Sequence, residues 1–245
     1  MVVESAGRRI LVDAGFSARE TVRRLRLGGL DPRRLDAIVL THEHQDHARG
    51  AELLSRRFKL PVYASEGSWE ARGLRRIERR FAFRPGDRIE LRGFEVETFS
   101  VSHDARQPVG LVVENRDGLR LGVAADLGTA TAEVRAALSA LDLLVLESNH
   151  DEDLLMRGPY PWSLKERVRS SRGHLSNLAA AELIESVISE RLSDVVLYHL
   201  STTNNLPDLA HDAVAGTLRR LGAEVAVTLT QQNEPTGWLE VAAAS

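Results

Sequence analysis

Short apolar runs alternate along the 245-residue chain with longer segments in which apolar residues recur every three or four positions. The short runs, bounded by turn residues, predict strands, and the longer periodic segments predict helices with one buried face. The predicted strands cover residues 2–4, 9–13, 37–40, 61–64, 88–91, 94–102, 110–114, 119–123, 141–146, 194–200, 224–229 and 237–241. The predicted helices cover residues 17–27, 48–58, 131–140, 176–191 and 207–221.

The order of these elements indicates an α/β fold. Strands cluster in each half of the chain, and helices alternate with them. Pro85-Gly86-Asp87 and Arg116-Asp117-Gly118 are turn signals that give the middle of the chain a hairpin character. We therefore expect two sheets packed on each other with helices outside, rather than one doubly wound parallel sheet. The length fits a single domain over residues 1–245, with two domains as the alternative.

Composition narrows the class of protein. The chain has no cysteine, which excludes disulfides and thiolate metal sites and fits a reducing compartment. No segment resembles a signal peptide, and no apolar run approaches the roughly 20 residues that span a bilayer. We therefore expect a soluble, cytoplasmic protein without a membrane partner. A net charge of −3 excludes a globally basic nucleic-acid binder.

Arginine is concentrated in two segments, residues 23–34 and 72–84. Guanidinium groups suit bidentate contacts with phosphate, so the segment 72–84 is a candidate surface for a nucleic-acid backbone. The alternative is that both segments are solvated faces, which is the usual role of charge runs.

The candidate chemistry is concentrated after the apolar run 37–40, where three of the eight histidines lie within six residues. His42 and His44 are two positions apart, so in extended backbone both imidazoles point the same way and can bind one metal ion. Asp46 and His47 begin the next helix and are placed for a second ion. Imidazole and carboxylate suit Zn, Mn or Fe. A polar loop with incidental histidines explains this spacing poorly.

Further candidate ligands follow predicted strands elsewhere in the chain. His103 follows the strand 94–102, Asp126 follows the strand that begins at residue 119, and His199 lies at the end of the strand from residue 194. Functional side chains often occupy such positions, where rigid scaffold meets loop. A single histidine after a strand is more often an ordinary polar residue, but three such positions together favour additional metal ligands.

This ligand order resembles that of the metallo-β-lactamase superfamily, and the resemblance covers nearly the whole chain. It implies a four-layer αββα sandwich and two divalent metal ions, with Zn or Mn favoured and Fe or Ni accepted by the same ligands. It also implies the ligand sets. His42, His44 and His103 hold the first metal, Asp46, His47 and His199 hold the second, and Asp126 bridges them. Leu11-Val12-Asp13-Ala14-Gly15 is similar to the family's second strand, whose Asp supports the metal loop.

Two further segments resemble ribonuclease Z. Gly173-His174-Leu175-Ser176 is similar to its Gly-His-Ser-Thr helix start, and Leu144-Val145-Leu146-Glu147 to the strand that ends in its catalytic Glu. The resemblance implies that Glu147 and His174 act on the leaving oxygen, while Asp46 can accept the proton of the attacking water. Taken alone, Glu147 could cap the next helix, and His174 could merely adjoin the capping residue Ser176.

The segment Tyr198-His199-Leu200-Ser201-Thr202-Thr203-Asn204-Asn205, with Gly-His-Leu-Ser-Asn at 173–177, is similar to the YycJ (WalJ)-like group. That resemblance implies a nuclease with a nucleic-acid substrate, specifically a 5′-to-3′ exonuclease acting on double-stranded DNA. It also leads us to expect that a first strand and a Gly-Ser-rich loop are missing, since Met1 directly precedes the equivalent of Val2-Val3-Glu4.

The residues alone leave two other functions open. The same ligands would serve a phosphodiesterase or thioesterase acting on a small soluble metabolite, or a non-catalytic, metal-stabilised binding protein. The second is harder to reconcile with Glu147 and His174, since purely structural metal sites are closed and need no such groups. The sequence carries no signal for an oligomeric state.

Overall fold

The computed structural model describes residues 1–242 and divides the chain into two compact units. The first unit contains residues Met1–Ser100, Ala105–Arg116 and Asn233–Trp238. The second contains Val101–Asp104, Asp117–Gln232 and residues 239–242. The single domain expected from the sequence stays a prediction.

The first unit contains a five-stranded sheet in which strand order follows chain order. Its first two strands are antiparallel, and every later neighbour is parallel. The carboxyl ends of its last four strands therefore lie at one edge. These strands are β1 Val2–Ser5, β2 Arg8–Val12, β3 Ala37–Val39, β4 Val62–Ser65 and β5 Arg80–Phe83. An antiparallel group follows, with β6 Arg88–Leu91, β7 Phe94–Ser100 and β8 Val109–Asn115.

Three helices belong to the first unit: α1 Ala18–Leu27, α2 Gln45–Ala48 and α3 Ala51–Phe58. Ser17 caps α1, because its side chain accepts a hydrogen bond from Glu20 N. The apolar faces of α1 and α3 enter one buried cluster with Ile38 of β3, which is fully buried. Burial on this scale is the main term that stabilises the sheet edge on which the histidine loop sits.

The second unit is built on four parallel strands in the order β12-β11-β10-β9. These are β9 Arg120–Ala124, β10 Leu143–Glu147, β11 Asp194–Tyr198 and β12 Ala226–Leu229. Strand β10 is buried along its whole length, as expected for a central strand covered on both faces. Its helices are α4 Ala132–Ala137, α5 Glu152–Arg157, α6 Trp162–Val168, α7 Asn177–Val187 and α8 Pro207–Leu221.

Several predicted elements differ from those observed. The predicted helix 48–58 is interrupted at Arg49 and Gly50, where Gly50 N donates to Ala14 O at 2.7 Å. The predicted strand 237–241 was wrong, because those residues pair with no strand in the described part of the chain and Trp238 is 52% exposed. Helices α5 and α6 were missed, although Asp151 caps the first and Pro161 precedes the second.

Within the described residues, none of the helices combines the length and the apolar character needed to cross a bilayer.

Candidate functional site

The loop after β3 is fixed by Asp13, the residue that follows the adjacent strand β2. The register pairs Val12 with Val39, so Asp13 lies beside the start of the loop. Its Oδ1 accepts a hydrogen bond from Thr41 N at 2.8 Å, and its Oδ2 accepts one from the Thr41 hydroxyl at 2.9 Å. Asp13 has a left-handed φ of 58°, which aspartate tolerates better than most residues.

The same carboxylate orients a histidine. Nδ1 of His47 lies 2.7 Å from Oδ2 of Asp13, and a carboxylate can only accept there, so Nδ1 carries the proton. Nδ1 of His42 lies 3.1 Å from Thr41 Oγ1. In both rings Nε2 is therefore the nitrogen placed to ligate a metal. Burial would raise the pKa of Asp13, but the charge and hydrogen bond of His47 outweigh it and lower the pKa.

The four candidate ligands in this loop are close together. The ring centroids of His42 and His44 are 4.7 Å apart, and those of His42 and His47 are 4.1 Å apart. Asp46 Oδ2 lies 3.8 Å from Nε2 of His47, and its side chain is 66% exposed. The first unit therefore brings together the three histidines and the aspartate that the sequence singled out.

Close packing at Gly15 fixes the loop from behind. A Cβ on Gly15 would lie 1.5 Å from the carbonyl oxygen of Asp46 and 3.0 Å from His47 N. Only glycine allows this approach between the two backbones, which explains the residue at this point of the Leu-Val-Asp-Ala-Gly motif.

Glu43, which the sequence reasoning left without a role, holds the other side of the loop. Its Oε2 accepts a hydrogen bond from Ser68 Oγ at 3.2 Å, and its Oε1 accepts one from Arg106 N at 2.9 Å. These partners are 25 and 63 residues away in sequence. No local pattern could have revealed them.

In the second unit three candidate residues lie at the carboxyl edge of the parallel strands. Glu147 ends β10, while Asp126 and His199 follow β9 and β11. The register pairs Glu147 with Tyr198, the residue before His199. Asp126 and His199 both have left-handed φ, 48° and 59°. Such strained backbone at strand ends is common where function requires a fixed side-chain direction.

Glu147 is fully buried and orients two histidines at once. Its Oε1 lies 2.7 Å from Nδ1 of His174 and 2.8 Å from Nδ1 of His199. Its Oε2 accepts hydrogen bonds from the backbone N–H groups of Leu127 and Leu175. Burial would raise the pKa of Glu147, but the two histidines outweigh it and lower the pKa. The carboxylate is thus ionised and leaves Nε2 as the outward nitrogen of each ring.

His174 is partly exposed, with 21% of its side chain accessible. Burial alone would lower its pKa, but hydrogen bonds to Asp126 and Glu147 and their charges raise it to about 9. At neutral pH the ring is therefore a proton donor. The chain before it packs tightly, since a Cβ on Gly173 would lie 2.1 Å from Val168 O.

His103 is buried in the second unit and is held through its Nδ1, which lies 3.2 Å from Gly173 O. Its Nε2 lies 3.6 Å from Asp126 Oδ2 and 3.3 Å from Asp104 Oδ1. Asp104 also pairs with Arg167 at 2.7 Å. The sequence reasoning missed Asp104, whose only signal was its position beside His103.

The second unit therefore brings together three of the proposed metal ligands, His103, Asp126 and His199, with Glu147 and His174. Donor atoms of Asp126, Glu147, His174 and His199 all lie within 4.8 Å of one another. Imidazole nitrogen with carboxylate oxygen is a donor set that suits divalent metals such as Zn or Mn.

Comparison with known proteins identifies the family. Residues 8–200 match the family described as "Beta-lactamase superfamily domain". The chain belongs to the metallo-β-lactamase superfamily. The predicted α/β fold of the metallo-β-lactamase type is confirmed. A crystal structure of the metallo-β-lactamase fold protein YhfI from Bacillus subtilis aligns with a TM-score of 0.69 at 17% identity, covering 94% of this chain and 87% of that one.

Two members of the superfamily resemble the chain over most of their length. "Exodeoxyribonuclease YycJ" of Bacillus anthracis is 36% identical over 219 residues, 88% of this chain and 83% of that protein. "Exodeoxyribonuclease WalJ" of Streptococcus pneumoniae is 32% identical over 231 residues, 92% of this chain and 86% of that protein. The expected similarity to the YycJ (WalJ)-like group is confirmed. The assignment of individual site residues stays a prediction.

Proposed function

We propose that this chain is a metal-dependent hydrolase of phosphodiester bonds in nucleic acid, acting on DNA as a 5′-to-3′ exonuclease. The two bacterial relatives named as exodeoxyribonucleases support the substrate class. A cytoplasmic location, where a DNA substrate would be met, is part of the proposal.

The way the histidines are held is the observation that carries this proposal. Nδ1 of His47 lies against Asp13, Nδ1 of His103 against the Gly173 carbonyl, and Nδ1 of His199 against Glu147. Histidines that ligate metals almost always use their second nitrogen in this way, which fixes both ring orientation and tautomer. Incidental surface histidines need no such partners, and His42 and His103 are buried.

The residues present fit two divalent cations. The proposed ligands of the first are His42, His44 and His103, those of the second are Asp46, His47 and His199, and Asp126 is shared. This assignment follows the order of ligands along the chain, which resembles that of the superfamily. When bound, such cations make water nucleophilic near neutral pH and offset phosphate charge.

The chain's own groups would then move the protons. The exposed carboxylate of Asp46 would accept the proton of the attacking water. His174 would donate a proton to the leaving oxygen from Nε2. Glu147 is fully buried, so it cannot touch substrate and acts as a positioning residue through Nδ1 of His174.

The proposal is tested with duplex DNA and duplex RNA carrying a label at either end, beside bis-p-nitrophenyl phosphate as a small phosphodiester. We expect 5′-labelled DNA to release mononucleotides first, with RNA cut more slowly. Elemental analysis of the purified protein should find about two metal ions per chain. Hydrolysis of the small phosphodiester without cleavage of either nucleic acid would contradict the nuclease assignment.

Variants separate metal binding from proton transfer. His174→Ala should lower turnover by about 10²–10⁴-fold with metal content unchanged, because general acid assistance is worth that much. Asp46→Ala should lose both activity and metal. His211→Ala is the matched control, since this half-buried histidine lies on α8, outside the proposed ligand set, with its Nδ1 3.4 Å from Asp212 Oδ1. Loss of metal from His174→Ala protein would show that its assigned role is wrong.

A further inference from the structure

The first unit presents an arginine-rich segment in which all but one of the arginines lack an acidic partner among the described residues. Residues 72–84 contain six arginines and one acidic residue, Glu78. Only Arg84 pairs with a carboxylate, that of Glu66. In the described part of the chain no ion pair is formed by the other five, which are Arg72, Arg75, Arg76, Arg79 and Arg80, and all five are exposed.

The other arginine cluster behaves differently. Glu20 binds both Arg23 and Arg24, and Asp31 binds Arg33. Three of the five arginines in residues 23–34 are therefore in ion pairs, which fits the solvated-face alternative. The segment 72–84 instead keeps a net positive charge that a polyanion can neutralise.

Aromatic side chains are interleaved with these arginines. Phe81 stacks on Tyr63 with ring centroids 4.8 Å apart and planes inclined by 17°. Arg80 lies 5.8 Å above the ring of Trp69, whose Nε1 donates to Phe81 O at 3.4 Å. Although Tyr63 covers one face of Phe81, 44% of that residue is exposed. We call Tyr63, Trp69, Arg76, Arg79, Arg80 and Phe81 the β5 surface. It wraps around the outer edge of β5, because Arg80 and Phe81 are consecutive strand residues and point to opposite faces of the sheet.

Within the first unit this surface lies near the histidine loop. Strand β5 is the outermost strand of the five-stranded sheet and is parallel to β3, two strands away. Neighbouring strands are about 4.8 Å apart, so β5 lies about 10 Å from β3. Phe81 is level with Val39 of β3, because both pair with Tyr63, and His42 lies three residues beyond Val39. The arginines of the surface lie toward the amino end of β5. At about 3.4 Å per nucleotide, a strand of nucleic acid spans the distance between β5 and β3 in about three nucleotides.

We propose that the β5 surface binds an unpaired strand of nucleic acid, with arginines on the phosphates and the exposed part of Phe81 stacked on a base. The inference rests on the proposed function and names how that substrate is held. Stacking platforms beside a positive groove are the general way to bind single strands without reading sequence.

Binding is measured by fluorescence anisotropy with the metal-loaded protein and a labelled 20-nucleotide oligothymidine whose linkages are phosphorothioates that resist cleavage. Each phosphate contact on a single strand contributes about −0.7 to the slope of log K against log salt. Arg76→Gln with Arg80→Gln should therefore reduce the slope by about 1.4. Arg23→Gln with Arg33→Gln removes the same charge from ion-paired positions and should leave the slope unchanged.

Stacking of a base on Phe81 is tested separately. Phe81→Ala should weaken binding of the oligothymidine about tenfold, as expected for one lost stacking contact, while Phe81→Tyr should preserve it. All these variants should hydrolyse bis-p-nitrophenyl phosphate at the wild-type rate. An unchanged slope in Arg76→Gln with Arg80→Gln protein, or unchanged affinity in Phe81→Ala protein, would overturn the inference.

The outcomes also separate this inference from the proposed function. Wild-type protein that degrades nucleic acid but shows no difference between the two arginine pairs retains the proposed function and loses the β5 surface. Wild-type protein that binds the oligothymidine through this surface but hydrolyses no phosphodiester loses the proposed function instead. An arginine variant that gains a dimer with no change in slope would show that the charges only protect an edge strand, which also overturns the inference.

Discussion

Oε1 of Glu147, at the end of the buried strand β10, lies 2.7 Å from Nδ1 of His174, which is 27 residues later in sequence and just precedes α7. The other oxygen of Glu147 accepts two backbone N–H groups, so the carboxylate cannot turn. This relationship converts a partly exposed ring into a fixed proton donor. It also separates two roles, because Glu147 positions the ring and His174 is the group that would react.

Glu147→Gln should lower turnover by about 10–100-fold, the usual cost of losing a partner behind a reacting or ligating histidine. The backbone donors would keep the amide oxygen at the Oε2 position, so the amide NH₂ would face Nδ1 of His174 and His199. Each ring would then have to accept at Nδ1 and carry its proton on Nε2. The measurement is kcat on labelled DNA, with elemental analysis of the same sample.

The control for this change is Glu190→Gln, which removes an exposed carboxylate that forms no ion pair among the described residues. It should be fully active. Wild-type turnover in Glu147→Gln protein would show that the negative charge of Glu147 beside His174 and His199 contributes nothing to turnover.

Asp13→Asn should weaken metal affinity about 10–100-fold while the protein still folds. Thr41 N would hold the amide oxygen at the Oδ1 position, so the NH₂ would face Nδ1 of His47 and force the proton onto Nε2, the ligating nitrogen. Asparagine also accepts the left-handed φ of 58° at this residue. Competition with a chromophoric chelator measures the affinity.

Asp153→Asn is the surface control. Its carboxylate is 83% exposed, and its basic partner Arg157 is 3.9 Å away, which makes for a weak ion pair. An Asp13→Asn protein that binds metal as tightly as this control would show that His47 needs no carboxylate.

Elements with local signals were predictable from the sequence, and those set by distant packing were not. Helix α8 was predicted at its observed bounds because proline stands in its first turn and Gly222 ends it with a φ of 67°. The break between α2 and α3 could not be predicted, since it depends on the carbonyls of Ala14 and Phe16 that approach Gly50. The predicted strand at 237–241 failed because alternation alone does not supply a neighbouring strand.

The residues of the candidate site likewise divide into those with a local sequence signal and those without one. His42, His44, Asp46 and His47 share one loop, so their spacing alone suggested a metal. Glu147 reaches His199 across 52 residues, and only the resemblance to ribonuclease Z drew attention to it. Glu43 and Asp104 were missed because their partners come together only when the chain folds.

The pH dependence of stability should show the contribution of Glu20. Hydrogen bonds first from Arg23 and then from Arg24 lower the pKa of Glu20 from 4.5 to about 2. A carboxyl whose pKa is lower in the folded state stabilises it above the unfolded value and loses this contribution as the pH falls through the folded value. Wild-type protein should therefore melt slightly above Glu20→Gln protein at pH 6, and the difference should shrink between about pH 4.5 and pH 2.

Circular dichroism melts of both proteins across that range measure the difference. The effect is small, because the carboxyl is solvent-exposed and screened. Glu190→Gln melted alongside accounts for the general effect of one lost carboxylate. A difference that grows as the pH falls would contradict the assigned direction.

Gly15→Ala should displace the metal loop without touching any ligand. The added Cβ would lie 1.5 Å from Asp46 O, so the backbone that carries Asp46 and His47 must move. Overpacking of this kind costs about 1–3 kcal/mol, which lowers Tm by about 3–10 °C in a chain of this size. Metal content should fall with it, since ligand geometry depends on the same backbone.

Gly216→Ala in α8 is the control. The added Cβ would have Arg219 Nη2 as its nearest neighbour, at 3.9 Å, and removing a helical glycine should raise Tm. If Gly15→Ala protein kept both its Tm and its metal, the loop would not be held by this contact, and the orientation of its histidines would have to come from the hydrogen bonds of Asp13 and Glu43.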